Sequence, residues 1–159
     1  MYDFKIEAAD PEVMYRDLAI ALAGLVAGEP DPIANMANAA ALLWETLPDV
    51  NWAGFYRNVD GELVLGPFQG RPACIRIKFG EGVCGVAAAT RQVQRVEDVH
   101  AFPSHIACDS ASNSELVVPI VRDGEVIAVL DLDSPSHGRF TEADEAGCVR
   151  LAEILAKAI

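Results

Sequence analysis

Four cysteines, at positions 74, 84, 108 and 148, are the side chains of this sequence best suited to covalent chemistry. A thiolate is a strong nucleophile, and its oxidation to a sulfenic acid, followed by condensation with a second thiol, makes a reversible redox cycle. Cys108 lies in His105-Ile106-Ala107-Cys108-Asp109-Ser110, a polar segment ahead of a strand-like run, where a substrate can reach a thiol. Cys84 falls at the entrance to a short helix expected after Gly80-Glu81-Gly82. The unpaired backbone N–H groups there favour a thiolate, and Glu81 opposes it. Cys74 begins a strand and either faces the same cleft or packs in the interior. Cys148 sits on the apolar side of the last helix and reads as a structural thiol.

Three carboxylates come next. Glu115 follows the Cys108 segment, and Asp131 and Asp133 are two residues apart, so on a strand they point to one face. Carboxyls that share a pocket push one another's pKa upward, which keeps an acid protonated near neutrality and able to donate a proton. The alternative is a solvated strand end. His100, His105 and Cys108 lie close in sequence, but they match neither a CxxC pair nor an HExxH helix, so no metal site is expected.

The elements that must hold these groups can be read from capping and periodicity. Asp10-Pro11-Glu12 starts a helix whose stripe is Met14, Leu18, Leu22 and Leu25; Asp31-Pro32 starts a second, with Ile33, Met36, Ala37, Ala40, Trp44 and Leu47 on one side, ended by Pro48. Trp52 to Tyr56, the Asp60-Gly61 turn and Leu63 to Leu65 make a hairpin. Ile75, Ile77 and Phe79 alternate with Arg76 and Lys78 as a third strand, and Glu115–Val121, Asp123-Gly124 and Val126–Asp133 make a second hairpin. A long polar loop runs from Asp98 to Ser114. Thr141, with Asp144 three residues on, opens a last helix with Cys148, Leu151, Leu155 and Ala158 on its apolar side. The result is a layered α+β domain, one unit over 1–159, with N-terminal helices in 1–48, an antiparallel sheet and its loops in 50–133, and a C-terminal helix in 141–158.

The 159 residues suffice for one hydrophobic core, and 52% apolar against 23% charged residues lies in the globular range. A net charge of -12 repels phosphate backbones and anionic lipid, which argues against nucleic-acid and membrane-surface partners. No secretory leader pattern and no run of membrane-span length is present, so a cytoplasmic location with reduced thiols is expected.

Asn51-Trp52-Ala53-Gly54-Phe55-Tyr56, Leu65-Gly66-Pro67-Phe68-Gln69-Gly70, Gly82-Val83-Cys84-Gly85, His105-Ile106-Ala107-Cys108-Asp109-Ser110, Ser112-Asn113-Ser114-Glu115 and Asp131-Leu132-Asp133-Ser134 together resemble the free methionine-(R)-sulfoxide reductases. The cysteine separations of 10 and 24 residues match as well. The resemblance implies a GAF fold, Cys108 as the sulfoxide-reducing thiol, Cys74 as the recycling thiol with Cys84 as an alternative partner or nucleophile, and reducing equivalents from thioredoxin without a bound cofactor. It also implies a polar pocket of Glu115, Asp131 and Asp133 for the sulfoxide oxygen and the ammonium, and Trp52 as an aromatic wall for the substrate methyl. The backbone around Ile106, Ala107 and Asp109 would hold the α-carboxylate. Homodimerisation is suggested by the resemblance alone. The rival readings are a GAF sensory module that binds a small ligand without turnover, and a thiol protein that only senses oxidation. Against the first, no further output domain is expected in the chain, and Asp109, not a histidine, follows Cys108.

Overall fold

The computed structural model describes residues 4–6, 9–103 and 110–159. Both N-terminal helices begin at their predicted caps. Asp10 accepts the Glu12 N–H at the start of α1 (Pro11–Val26), and Asp31 accepts the Ala34 N–H at the start of α2 (Pro32–Thr46). The α1 stripe of Met14, Leu18 and Leu22 is buried as expected. In α2 the expectation is corrected: Ile33, Ala37 and Trp44 are exposed, and the buried side is Met36, Ala39, Ala40, Leu43 and Leu47. Two apolar stripes of helical period lie side by side in this segment, and packing against the sheet selects the one that carries Ala39 and Leu43.

The first hairpin joins β1 (Trp52–Val59) to β2 (Glu62–Gly70) through Asp60 and Gly61, both at positive φ, 54° and 85°. The second joins β5 (Ser114–Arg122) to β6 (Glu125–Ser134) through Asp123 and Gly124, at 52° and 79°. Positive φ at both central residues is what the two-residue turn matching the strand twist requires. Between the hairpins lie β3 (Arg76–Lys78), α3 (Gly82–Thr90) and β4 (Gln94–Val96). Ile75 was expected inside the third strand, but it precedes β3 and is 69% exposed; Ile77 alone is buried there. The expected loop after Asp98 carries a short 3₁₀ turn over Val99–Ala101.

The six strands form one sheet in the order β3-β2-β1-β6-β5-β4, with every neighbouring pair antiparallel. Alternation along the strands gives it two faces. Ala53, Phe55, Leu116, Val118, Leu130 and Leu132 point to one, where α1, α2 and α4 (Glu142–Leu155) cover them. Trp52, Tyr56, Leu63, Val117 and Val129 point to the other, where Val83, Cys84, Ala87 and Ala88 of α3 close a second, smaller core. The C-terminal helix starts with the predicted capping box, in which Thr141 and Asp144 each bond the other's backbone N–H. Asp144 also accepts from Tyr15 Oη at 2.7 Å and pairs with Arg139, tying α1 to α4. Cys148, fully buried beside Tyr15, is the structural thiol that its stripe predicts. Among the described residues no helix is long and apolar enough to cross a membrane.

Candidate active site

Strand register assembles the site on the α3 side of the sheet. Glu115 of β5 lies opposite Asp133 of β6, which lies opposite Trp52 of β1. One row further, Val117 lies opposite Asp131, and Asp131 opposite Gly54. Three carboxylates and an indole thus share one face of three central strands. Gly54 is the residue that lets them fit: a Cβ there would stand 2.3 Å from the Cβ of Phe68 and 2.8 Å from the Trp52 ring. The space its missing side chain leaves is filled by Trp52, stacked on Phe68 with ring centroids 5.1 Å apart and the planes 13° from parallel. Trp52 Nε1 donates to the Arg71 carbonyl at 3.1 Å and Tyr56 Oη donates to the Cys74 carbonyl at 2.9 Å, so β1 also fixes the segment leading to β3.

Helix α3 brings in the thiol from above. Gly85 makes this approach possible, since a Cβ on it would meet the Lys78 carbonyl oxygen at 2.3 Å. Cys84 then points down, its Sγ 3.9 Å from Glu115 Oε1, and one donor atom each from Cys84, Glu115 and Asp131 lie within 4.8 Å of one another. A cavity of about 40 Å³ opens beside this cluster, lined by Trp52, Tyr56, Arg71, Val83, Ser112 and the three carboxylates.

Electrostatics here are dominated by burial. The Glu115 carboxyl is pushed well above the usual carboxylate range by loss of water and then by the neighbouring Asp131 and Asp133. Asp131 is pushed up to about 7, again by burial, and its Oδ1 has no hydrogen-bond partner although the residue is only 5% exposed. Two acids this close and this dry resist being ionised together, so the pair keeps a shared proton near neutrality. At Cys84, where the helix N-terminus favours a thiolate and Glu81 opposes it, the buried surroundings decide against the thiolate. Burial and the charges of Asp131 and Glu115 push its thiol well above its ordinary value, outweighing the partial charge at a helix end. The cluster is a proton-sharing group in which thiol and carboxyls hold one another.

The family model of the GAF domain matches residues 31–159. Free methionine-R-sulfoxide reductase of Escherichia coli strain K12 is 55% identical over 145 residues, covering 91% of this chain and 88% of that protein. The chain belongs to the free methionine-R-sulfoxide reductase family. Its structure is similar to that of the Neisseria meningitidis free methionine-R-sulfoxide reductase in complex with its substrate, with a TM-score of 0.95, 46% identity, and 99% and 95% of the two chains covered. The fRMsr of Staphylococcus aureus, solved as a complex with substrate, gives a TM-score of 0.86 at 45% identity over 91% and 94% of the chains.

Of the family-type site residues named from the sequence, Trp52, Cys84, Glu115, Asp131 and Asp133 are brought together around this cavity. Cys74 is disulfide-bonded, while Cys84 and Cys148 are free. Ile106, Ala107, Cys108 and Asp109 lie outside the described residues. Sequence reasoning missed Tyr56, Arg71 and Ser112 as wall residues of this reductase-family pocket. Tyr56 was within reach of it, since four residues along a strand from Trp52 is the same face.

Proposed function

We propose that this chain reduces free L-methionine-(R)-sulfoxide to methionine. The observation that carries the reading is the buried, proton-sharing pair Glu115 and Asp131 beside the stacked Trp52, in a member of this reductase family. The Cys108 thiolate attacks the sulfoxide sulfur, and the protonated carboxyl pair donates to the sulfoxide oxygen as negative charge gathers there. Methionine departs, and the oxygen stays on Cys108 as a sulfenic acid. The Cys74 thiol condenses with it, releasing water and forming a disulfide, which thioredoxin reopens by giving two electrons and two protons. The disulfide-bonded state of Cys74 supports its place in that cycle.

In the bound substrate the methyl group packs on Trp52, and Asp131, which lines the cavity with Glu115, faces the sulfoxide oxygen. Asp133 faces the ammonium, and the backbone of Ile106, Ala107 and Asp109 holds the α-carboxylate. No bound cofactor takes part, the reaction runs in the cytoplasm, and the enzyme pairs as a homodimer.

The test couples NADPH oxidation to thioredoxin reductase and thioredoxin, with the free R epimer, the free S epimer and a blocked R analogue as substrates. Wild type is expected to turn over the free R epimer alone, and Cys108→Ser to turn over none. A wild-type chain inactive on all three refutes the enzyme reading and leaves ligand binding by a sensory GAF module.

A further inference from the structure

Cys84 is a buried nucleophile for which the proposed cycle has no task. Its thiol is free while Cys74 is disulfide-bonded, and it is 3% exposed. Its position is nonetheless tightly set. Gly80 N–H donates to the Gly85 carbonyl at 2.8 Å and Gly85 N–H to the Glu81 carbonyl at 3.1 Å, fixing the first turn of α3 against the end of β3. From that turn the sulfur reaches Glu115 Oε1 at 3.9 Å, with Asp131 inside the same 4.8 Å cluster. A thiol in this place has one hydrogen to give, and both neighbours are carboxyls.

We propose that Cys84 is a positioning residue of the reductase reaction: its S–H donates to the Glu115–Asp131 pair and holds that pair in the geometry that delivers a proton to the sulfoxide oxygen. The inference rests on the reductase reading. Besides Cys84 from α3, the groups facing the pair are Asp133 on β6, Tyr56 on β1, and Arg71 and Ser112 on the connecting segments. Burial pushes both carboxyls up, and the Cys84 hydrogen bond pulls both part of the way back, because a donor stabilises the ionised form.

The experiment compares Cys84→Ala, Cys84→Ser and wild type by kcat against pH and by carboxyl ¹³C titration of Glu115 and Asp131. Cys84→Val, close in size and without a donor, replaces the alanine variant if that variant is unstable. An acid catalyst works while protonated, so activity falls as pH rises through the pair's titration. Removing the donor raises that titration, and the alkaline limb of kcat moves up by about 0.5–1 pH unit, the worth of one weak hydrogen bond to a charged group. Serine keeps a donor and restores the wild-type limb.

If both variants keep the wild-type profile, or if both lose thioredoxin-driven turnover equally while still releasing one methionine per enzyme, the inference is overturned. The second result would make Cys84 a recycling thiol. The ¹³C midpoints read the hydrogen bond without turnover, so an inactive wild type refutes the reductase reading, whereas unchanged midpoints in the alanine variant of an active enzyme refute the positioning role.

Discussion

Replacing Asp131 by asparagine separates what the carboxyl does for chemistry from what it does to the fold. In the native state burial pushes it up to about 7, against an ordinary value of 3.8 that serves for the unfolded chain. That difference of about three pH units, at about 1.4 kcal/mol each, corresponds to about 4 kcal/mol. The native value is the higher one, so the folded state holds the proton more tightly. Stability from this group is complete below about pH 4 and is lost as pH rises through about 7. Asparagine does not titrate, and part of the effect is shared with Glu115. The variant should therefore gain about 2–4 kcal/mol on wild type between pH 4.5 and pH 8.5, or roughly 4–16 °C in Tm for a domain of this size. Urea unfolding at the two pH values, with the Cys74 disulfide kept intact in both proteins, measures it. The same variant should fail to reduce the sulfoxide. A stability difference that stays constant from pH 4.5 to 8.5 would mean that Asp131 ionises as readily in the fold as in the unfolded chain, and the reasoning about a crowded, dry acid pair would be refuted.

Two further outcomes test the supports of the site. Gly54→Ala puts a methyl group 2.3 Å from the Phe68 Cβ and 2.8 Å from Trp52, and should destabilise by about 2–4 kcal/mol while displacing the indole, read by urea unfolding and tryptophan fluorescence. Tyr15→Phe removes the 2.7 Å donation to Asp144 and should lower stability by about 1–2 kcal/mol in thermal melts with kcat/KM unchanged, since the α1–α4 tie lies on the opposite face of the sheet from the carboxylates.

Local signals carried most of the architecture. The caps at Asp10, Asp31 and Thr141 and the turns at Asp60-Gly61 and Asp123-Gly124 are each set by the conformations that a few adjacent residues permit, and all stand where the residue types place them. The shared face of Asp131 and Asp133 followed from strand period. What escaped depends on partners distant in sequence. The period of α2 fits Trp44 as well as Leu43, and only the sheet surface chooses between them. β4 is three residues at a sheet edge, too short for alternation to register. For Cys84 the local helix terminus and Glu81 pull in opposite senses, and what decides between them, burial and the carboxyls of β5 and β6, lies 31 and 47 positions further along the chain. The placement of Tyr56 and Arg71 in the wall likewise depends on how β1 meets the segment before β3.

The two-faced sheet restricts how such a protein can change over evolutionary time. In β5 and β6 the pocket residues Glu115, Asp131 and Asp133 alternate with Leu116, Leu130 and Leu132, which belong to the helix-covered core. Inserting or deleting one residue upstream in either strand would turn its carboxylates into oil and its leucines into the cavity, destroying catalysis and folding in one event. Lineages can therefore vary these strands by substitution but not by length, and insertions should collect beyond their ends, in the hairpin turns at Asp60-Gly61 and Asp123-Gly124.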